Sequence, residues 1–119
     1  MKKATTVFWD ELTEELKDPQ FAALFYLETE RIQMIDSIIN QLDDLRIEAN
    51  VSKVELARRM QSEPANVRRL FSAMKSNPTA ATIVDIALAL GYQLKLEPLP
   101  KSRQRKIAKA LENLTASDS

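Results

Sequence analysis

The chain contains a single glycine, Gly91, in 119 residues, and its five prolines are confined to positions 19, 64, 78, 98 and 100. Because glycine and proline are the residues that most often interrupt helices, this distribution predicts helices bounded at those points. A single glycine also excludes phosphate-binding loops, which need several. The absence of cysteine and histidine excludes disulfides, thiolate or imidazole metal sites and histidine-based catalysis. We therefore expect an all-α protein that is not an enzyme and that holds no metal or cofactor.

The length suits one ordinary domain, and the charge is unevenly distributed along it. Residues 1–50 carry five Lys or Arg and eleven Asp or Glu, a net charge of −6, whereas residues 51–119 carry twelve and six, a net charge of +6. A basic half favours a polyanion as partner, and an acidic half favours a basic protein. No apolar stretch reaches the ~18 residues of a membrane span and no signal-peptide core is present, so we expect a cytoplasmic protein.

The first half of the sequence has the periodicity of amphipathic helices. Phe8, Trp9, Leu12 and Leu16 predict a short helix over residues 7–17. Asp18-Pro19 then predicts a helix N-cap followed by proline at the first helical position. Apolar residues recur from there to position 45 at spacings of three and four. This pattern fits one helix of roughly thirty residues or two helices with a break near residues 28–31.

The central segment, residues 52–91, predicts three short helices. Ser52-x-x-Glu55 is a capping-box sequence at the start of the first. Pro64 starts the second helix, and Gly91 closes the third with a left-handed residue. The second helix is amphipathic, with a core-facing stripe of Val67, Leu70, Phe71 and Met74.

The pattern changes after Gly91. Tyr92, Leu94 and Leu96 alternate with polar residues, which predicts a strand over residues 92–98 that ends at the prolines. A lone strand needs an outside partner, so these three residues are dimerisation candidates. The basic tail, residues 99–119, is either a marginal helix or a disordered segment.

The three short helices form the layout of a helix-turn-helix unit. The segments 52–60 (SKVELARRM), 67–70 (VRRL) and 77–91 resemble the Xre/Cro-repressor family, with Leu56-Ala57, Val67, Leu70 and Ala89-Leu90-Gly91 on its buried positions. Residues 16–21 (LKDPQF) and the acidic helix after them further resemble HigA-type antitoxins. The sequence departs from the family pattern at Gln61, where glycine is frequent, at Ser62, where an apolar residue is frequent, and at Phe71, where an acidic residue is common. It also has Pro64 and Ala65 where the family commonly has polar residues that contact DNA bases.

The core stripe of the second helix fixes its outer face. At 100° per residue this face holds Ala65, Arg69 and Ser72, flanked by Asn66 and Arg68. Arg can bind guanine O6/N7 with two donors, and by its family position Arg69 is the first candidate for a base contact. The candidate DNA-binding residues are Ser52, Lys53, Pro64, Ala65, Asn66, Arg68, Arg69, Ser72, Lys75 and Asn77.

The resemblance implies a five-helix-type Xre/lambda-repressor-like domain with an N-terminal helical extension and one short C-terminal strand. The expected divisions are an acidic extension (1–31), the helix-turn-helix domain (32–91), the strand (92–98) and the basic tail (99–119). The implied function is a homodimeric antitoxin that binds operator DNA at the nucleoid, neutralises a RelE/HigB-like toxin and represses its own operon. The candidate toxin-binding residues are Phe8, Trp9, Leu12, Leu16, Phe21 and Phe25. Two alternatives are a stand-alone Xre-family repressor and a protein–protein adaptor that binds no DNA.

Overall fold

The computed structural model describes residues 4–72 and 77–115, which form six α-helices and no strand. The helices are α1 (Ala4–Glu15), α2 (Pro19–Glu48), α3 (Lys53–Arg59), α4 (Pro64–Ser72), α5 (Ala80–Leu90) and α6 (Lys101–Thr115). The chain divides into two compact units. Residues 33–97 form the central unit, and the described residues up to 32 together with those from 98 onward form the terminal unit. None of the described helices is long and apolar enough to cross a membrane.

Helix α2 is continuous over 30 residues, which decides between the two arrangements that the periodicity allowed. Its start confirms the predicted cap. The Asp18 carboxylate accepts the Gln20 N–H at 3.0 Å, and the Asp18 carbonyl accepts the Ala22 N–H at 2.9 Å. Pro19 is the first helical residue, where its missing N–H costs no hydrogen bond.

The predicted strand over residues 92–98 is wrong. These residues follow the end of α5 without regular secondary structure, and Tyr92, Leu94 and Leu96 are exposed. Alternation of apolar and polar residues describes an extended segment, but a strand also needs a neighbouring backbone to bond with. No described segment of this chain supplies one, so the fold is all-helical.

The basic tail forms a helix over its described part. The Pro100 carbonyl accepts the N–H groups of Arg103 and Gln104, both at 3.0 Å, and so begins α6. Arg103 then binds the Glu30 carboxylate of α2. The pKa of Tyr26, one turn before Glu30 on α2, is raised first by burial and then by the Glu30 charge. The hydrogen bond from Arg103 lowers the pKa of Glu30. This polar cluster holds α6 to the first part of α2.

The core of the central unit lies where α3, α4, α5 and the last part of α2 meet. Its most deeply buried large side chains are Leu56, Val67 and Ile86. The remaining buried members are Leu42, Val51, Ala57, Ile83 and Ala87. The residues expected on the family's buried positions are accordingly buried or half-buried, with the exception of Gly91, which is exposed.

Three helices of the central unit end in the same kind of turn. Asn50, Gln61 and Gly91 all have left-handed backbones, with φ of 56°, 53° and 86°. The N–H of the following residue returns to the carbonyl five residues earlier in each case, at 3.0 Å, 2.8 Å and 2.8 Å. This is the Schellman pattern, which requires one left-handed residue. Only one of the three positions has the glycine that avoids the steric cost of that conformation.

Candidate nucleic-acid interface

Helix α3 begins with one half of the predicted capping box. The Ser52 hydroxyl accepts the Glu55 N–H at 3.0 Å, as expected. In a capping box the Glu55 carboxylate would also accept the Ser52 N–H. This second bond was predicted wrongly, because the carboxylate binds Arg58 at 2.5 Å and Arg59 at 3.2 Å instead. Hydrogen bonds from Arg58 and then Arg59 lower the pKa of Glu55 to about 2. The carboxylate therefore neutralises cations on its own helix.

The turn between α3 and α4 sets the position of the second helix. Left-handed Gln61 lets the Ser62 N–H bond the Ala57 carbonyl at 2.8 Å, so the turn closes without glycine. Pro64 then begins α4, as predicted. On the other side of α3, the Arg59 guanidinium donates to the Ala89 carbonyl of α5 at 3.1 Å. Both contacts lie at the C-terminal end of α3, which is thus held to the turn before α4 and to α5.

Helix α4 has one buried side and one exposed side. Val67 is buried, while Leu70 and Phe71 are half-buried beside it. Of the candidate DNA-binding residues on α4, Pro64 is half-buried and the other five are exposed. The exposed residues are Ala65, Asn66, Arg68, Arg69 and Ser72. The orientation of the helix about its axis therefore agrees with the apolar period of the sequence.

The two arginines of α4 are not neutralised within the described part of the chain. An Arg69 Nη2 donates to the Asn66 Oδ1 at 2.5 Å, and no described carboxylate pairs with Arg68 or Arg69. Asn66 in turn donates to the Ser62 hydroxyl at 3.3 Å. Since a guanidinium has five N–H donors, Arg69 keeps most of them available while Asn66 restrains its direction.

The flanking candidates lie at the ends of neighbouring elements. Ser52 is exposed at the N-cap of α3, and Lys53 is half-buried beside it. Asn77 is exposed ahead of α5. Lys75 lies outside the described residues, as does Met74 of the predicted core stripe. Ser52, Lys53 and Asn77 could contact phosphate oxygens, and that role stays a prediction.

Arg46 is a residue that the sequence reasoning missed. Its side chain is 12% exposed near the end of α2, where it pairs with Asp43 and donates to the Val51 carbonyl at 2.8 Å. The same guanidinium lies 5.7 Å from the centre of the Phe71 ring. It therefore joins the end of α2 to α4. The available signal was Phe71 itself, an aromatic residue where the family commonly has an acidic one.

The candidate toxin-binding residues lie in the terminal unit and are mostly uncovered. Helix α1 has no buried residue. Phe8 and Trp9 are 58% and 61% exposed and meet edge to face at 5.4 Å. Leu16 and Phe25 are also exposed, whereas Leu12 and Phe21 are half-buried. The Phe21 and Phe25 rings stack at 6.4 Å.

Comparison with known proteins assigns the central unit to a class. The Helix-turn-helix family matches residues 42–96, a range that contains α3, α4, α5 and the end of α2. The chain therefore contains an Xre-type helix-turn-helix domain, the class to which DNA-binding transcription regulators belong. Neither a curated protein nor a solved structure matches the chain.

Proposed function

We propose that the chain is a sequence-specific repressor whose helix α4 enters the major groove of operator DNA. The observation that carries this proposal is the exposed cationic face of α4, with Arg68 and Arg69 free of described carboxylates and Val67 anchored in the core. Because the core side fixes the helix orientation, the arginines face outward from the fold. A convex helix with such a face fits a groove that displays base edges.

Within this face, Arg69 is the base-reading residue. Its planar guanidinium can donate two hydrogen bonds to guanine O6 and N7, and the bond to Asn66 limits the directions that it samples. Arg68 beside it contacts a phosphate or a second base. Ala65 is small enough for contact with a thymine methyl group. Ser52 and Lys53 at the start of α3 bind the phosphate backbone and position the unit.

Operator recognition by such a unit uses two copies. A homodimer places two α4 helices in successive major grooves, about 34 Å apart along the duplex. The operator would then be an inverted repeat, and binding at the chain's own promoter at the nucleoid would repress it.

We further propose that α1 and the start of α2 neutralise a RelE/HigB-like toxin. What supports this is the combination of exposed Phe8 and Trp9 with four carboxylates and no basic residue within α1. An aromatic surface with acidic flanks suits a basic protein that binds RNA. The acidic helix would cover the cationic surface on which such a toxin holds its substrate.

DNA binding is tested by fluorescence anisotropy with a labelled duplex from the chain's own upstream region, titrated at several salt concentrations. A repressor shows an affinity that falls steeply with salt and exceeds the affinity for a scrambled duplex. A protein–protein adaptor shows no salt-dependent binding to either duplex, and this result would remove the proposal.

Toxin binding is tested separately by co-expression with the product of the neighbouring gene. An antitoxin retains a small basic partner through purification and loses it when Phe8 and Trp9 are both changed to alanine. The double variant keeps its affinity for a duplex that holds a single half-site, because these residues lie outside the helix-turn-helix domain. A chain that binds the operator but retains no partner is a stand-alone repressor.

A further inference from the structure

The terminal unit has an open groove between α2 and α6. It measures about 270 Å³ and has one wall from each helix. The α2 wall consists of Pro19, Ala22, Ala23 and Tyr26, and the α6 wall consists of Lys106, Lys109, Ala110 and Asn113. Each wall follows the i, i+3, i+4, i+7 spacing of a single helix face. Small side chains form its apolar part and leave room for larger ones from another helix.

Helix α1 carries a stripe with the same spacing. Phe8, Glu11, Leu12 and Glu15 occupy positions i, i+3, i+4 and i+7, and Trp9 lies beside Phe8 and Leu12. The stripe therefore has bulky apolar residues along its middle and two carboxylates along one edge. No residue of α1 is buried, and in the single chain this stripe is exposed except at Leu12, which is half-buried.

The charges of the groove and the stripe are complementary. Lys106 and Lys109 form no salt bridge with a described residue, and the same holds for Glu11 and Glu15. The α6 segment carries five basic residues and one acidic residue, whereas α1 carries four acidic residues and no basic one. A groove with small apolar side chains and cationic edges thus fits a helix with large apolar side chains and anionic edges.

We propose that α1 of a second copy of this chain occupies the groove between α2 and α6. Phe8 and Leu12 fill the space above Ala22, Ala23 and Ala110, while Glu11 and Glu15 pair with Lys106 and Lys109. If each copy inserts its α1 into the other, the arrangement is two-fold symmetric and closes as a dimer. A one-way insertion would instead continue into chains of copies.

This assigns a surface to the homodimer proposed above, and it rests on that proposal only for the number of copies. All the residues involved belong to the terminal unit, so failure here leaves operator binding by α4 untouched. The stripe is also the candidate toxin surface. A toxin and a second copy would therefore compete for the same α1.

The test uses two charge-reversal variants of the full chain, E11K/E15K and K106E/K109E. In each variant alone, charges of the same sign meet at the interface. We therefore expect the dissociation constant of its dimer to rise at least about tenfold. Mixing the two variants restores both pairings reciprocally, because the reversed helix of one fits the reversed groove of the other. The control K101E/R105E reverses two charges of α6 that do not line the groove and leaves the dimer intact.

Two readouts apply to every variant. Light scattering after gel filtration gives the mass, expected to be twice 13.5 kDa for the unaltered chain. Trp9, the single tryptophan, reports its own environment, and its emission should shift to the blue as concentration drives it into the partner's groove. Circular dichroism checks that each variant retains its helices.

Three outcomes would overturn the proposal. One is a monomer at every concentration tested. Another is a monomer whose Trp9 emission is already blue-shifted and independent of concentration, which would mean that α1 folds onto its own chain. The third is a dimer whose stability is unaffected by either reversal or whose loss is not restored by mixing, which would place the interface elsewhere.

Discussion

Substitution of Arg46 tests how the end of α2 is joined to α4. The side chain makes three interactions, a salt bridge with Asp43, a hydrogen bond to the Val51 carbonyl at 2.8 Å and a cation–π contact with Phe71. Arg46→Ala removes all three from a position that is 12% exposed. We expect a lower free energy of unfolding for the central unit and a less firmly held α4.

The size of the effect follows from the three interactions. A hydrogen bond from a charged donor contributes about 1.5–3 kcal/mol, and a cation–π contact adds about 0.5–1 kcal/mol. The salt bridge adds little, on the order of 0–1 kcal/mol, because Asp43 remains partly hydrated. We therefore expect Arg46→Ala to cost about 2–5 kcal/mol in the free energy of unfolding. Arg46→Lys keeps the positive charge but loses the planar guanidinium. Its free energy of unfolding should therefore lie between those of the unaltered chain and of Arg46→Ala.

Urea denaturation followed by circular dichroism measures the change. Arg31→Ala is the matched control, because Arg31 lies on the same helix in an exposed pair with Glu28 and should change stability by less than about 0.5 kcal/mol. A double-mutant cycle with Phe71→Leu should give a coupling of about 0.5–1 kcal/mol between Arg46 and the ring. An Arg46→Ala variant as stable as the control, or a coupling of zero, would mean that these contacts do not hold α2 to α4.

Three further predictions concern two helix ends and the dependence of stability on acid pH. Gly91→Ala should lower the free energy of unfolding by about 1–2 kcal/mol through backbone strain alone, since a Cβ there would meet no atom within 4 Å. Gln61→Gly should raise the free energy of unfolding by up to about 1 kcal/mol, because glycine adopts the left-handed backbone at this position without the steric cost of a side chain. If urea denaturation showed both changes with the same sign, the assignment of the turns would be contradicted. Because the pKa of Glu55 is lowered to about 2, its pairs with Arg58 and Arg59 stabilise the fold fully above its ordinary pKa of 4.5 and are lost as the pH falls toward 2. Glu55→Gln should weaken this acid dependence in a pH titration of urea stability, and an unchanged acid limb would contradict it.

Helix starts were the most predictable part of the fold. Asp18-Pro19, Ser52 and Pro64 act through their own backbone and side-chain atoms, so their effect can be read locally. The exposed face of α4 was predictable for the same reason, because one buried residue, Val67, fixes the helix orientation.

The features that sequence reasoning missed depend on partners distant in the chain or on competition between partners. Residues 92–98 alternate like a strand, but no described backbone pairs with them. The basic tail is stabilised as α6 by Glu30, which lies 73 residues from Arg103. The Glu55 carboxylate can accept either the Ser52 N–H or the guanidinium groups of Arg58 and Arg59, and in the structure it binds the two arginines.

The left-handed backbones at Asn50 and Gln61 were within reach of the sequence. Asparagine tolerates this conformation better than most residues, and Gln61 stands where the related family often has glycine. The residues at Gln61 and Ser62 favour a wider or less tightly packed turn, and this expectation is wrong, because the Ser62 N–H bonds the Ala57 carbonyl at 2.8 Å.

Operator recognition as proposed depends on the buried side of α4 directing Arg69 toward the bases. Anisotropy titration of Arg69→Ala with operator and scrambled duplexes tests it most directly, with Arg31→Ala as the control of equal charge. We expect Arg69→Ala to lose about 1–3 kcal/mol of operator affinity and most of its preference over the scrambled duplex. Unchanged operator affinity, or an equal loss for both duplexes, would contradict the claim.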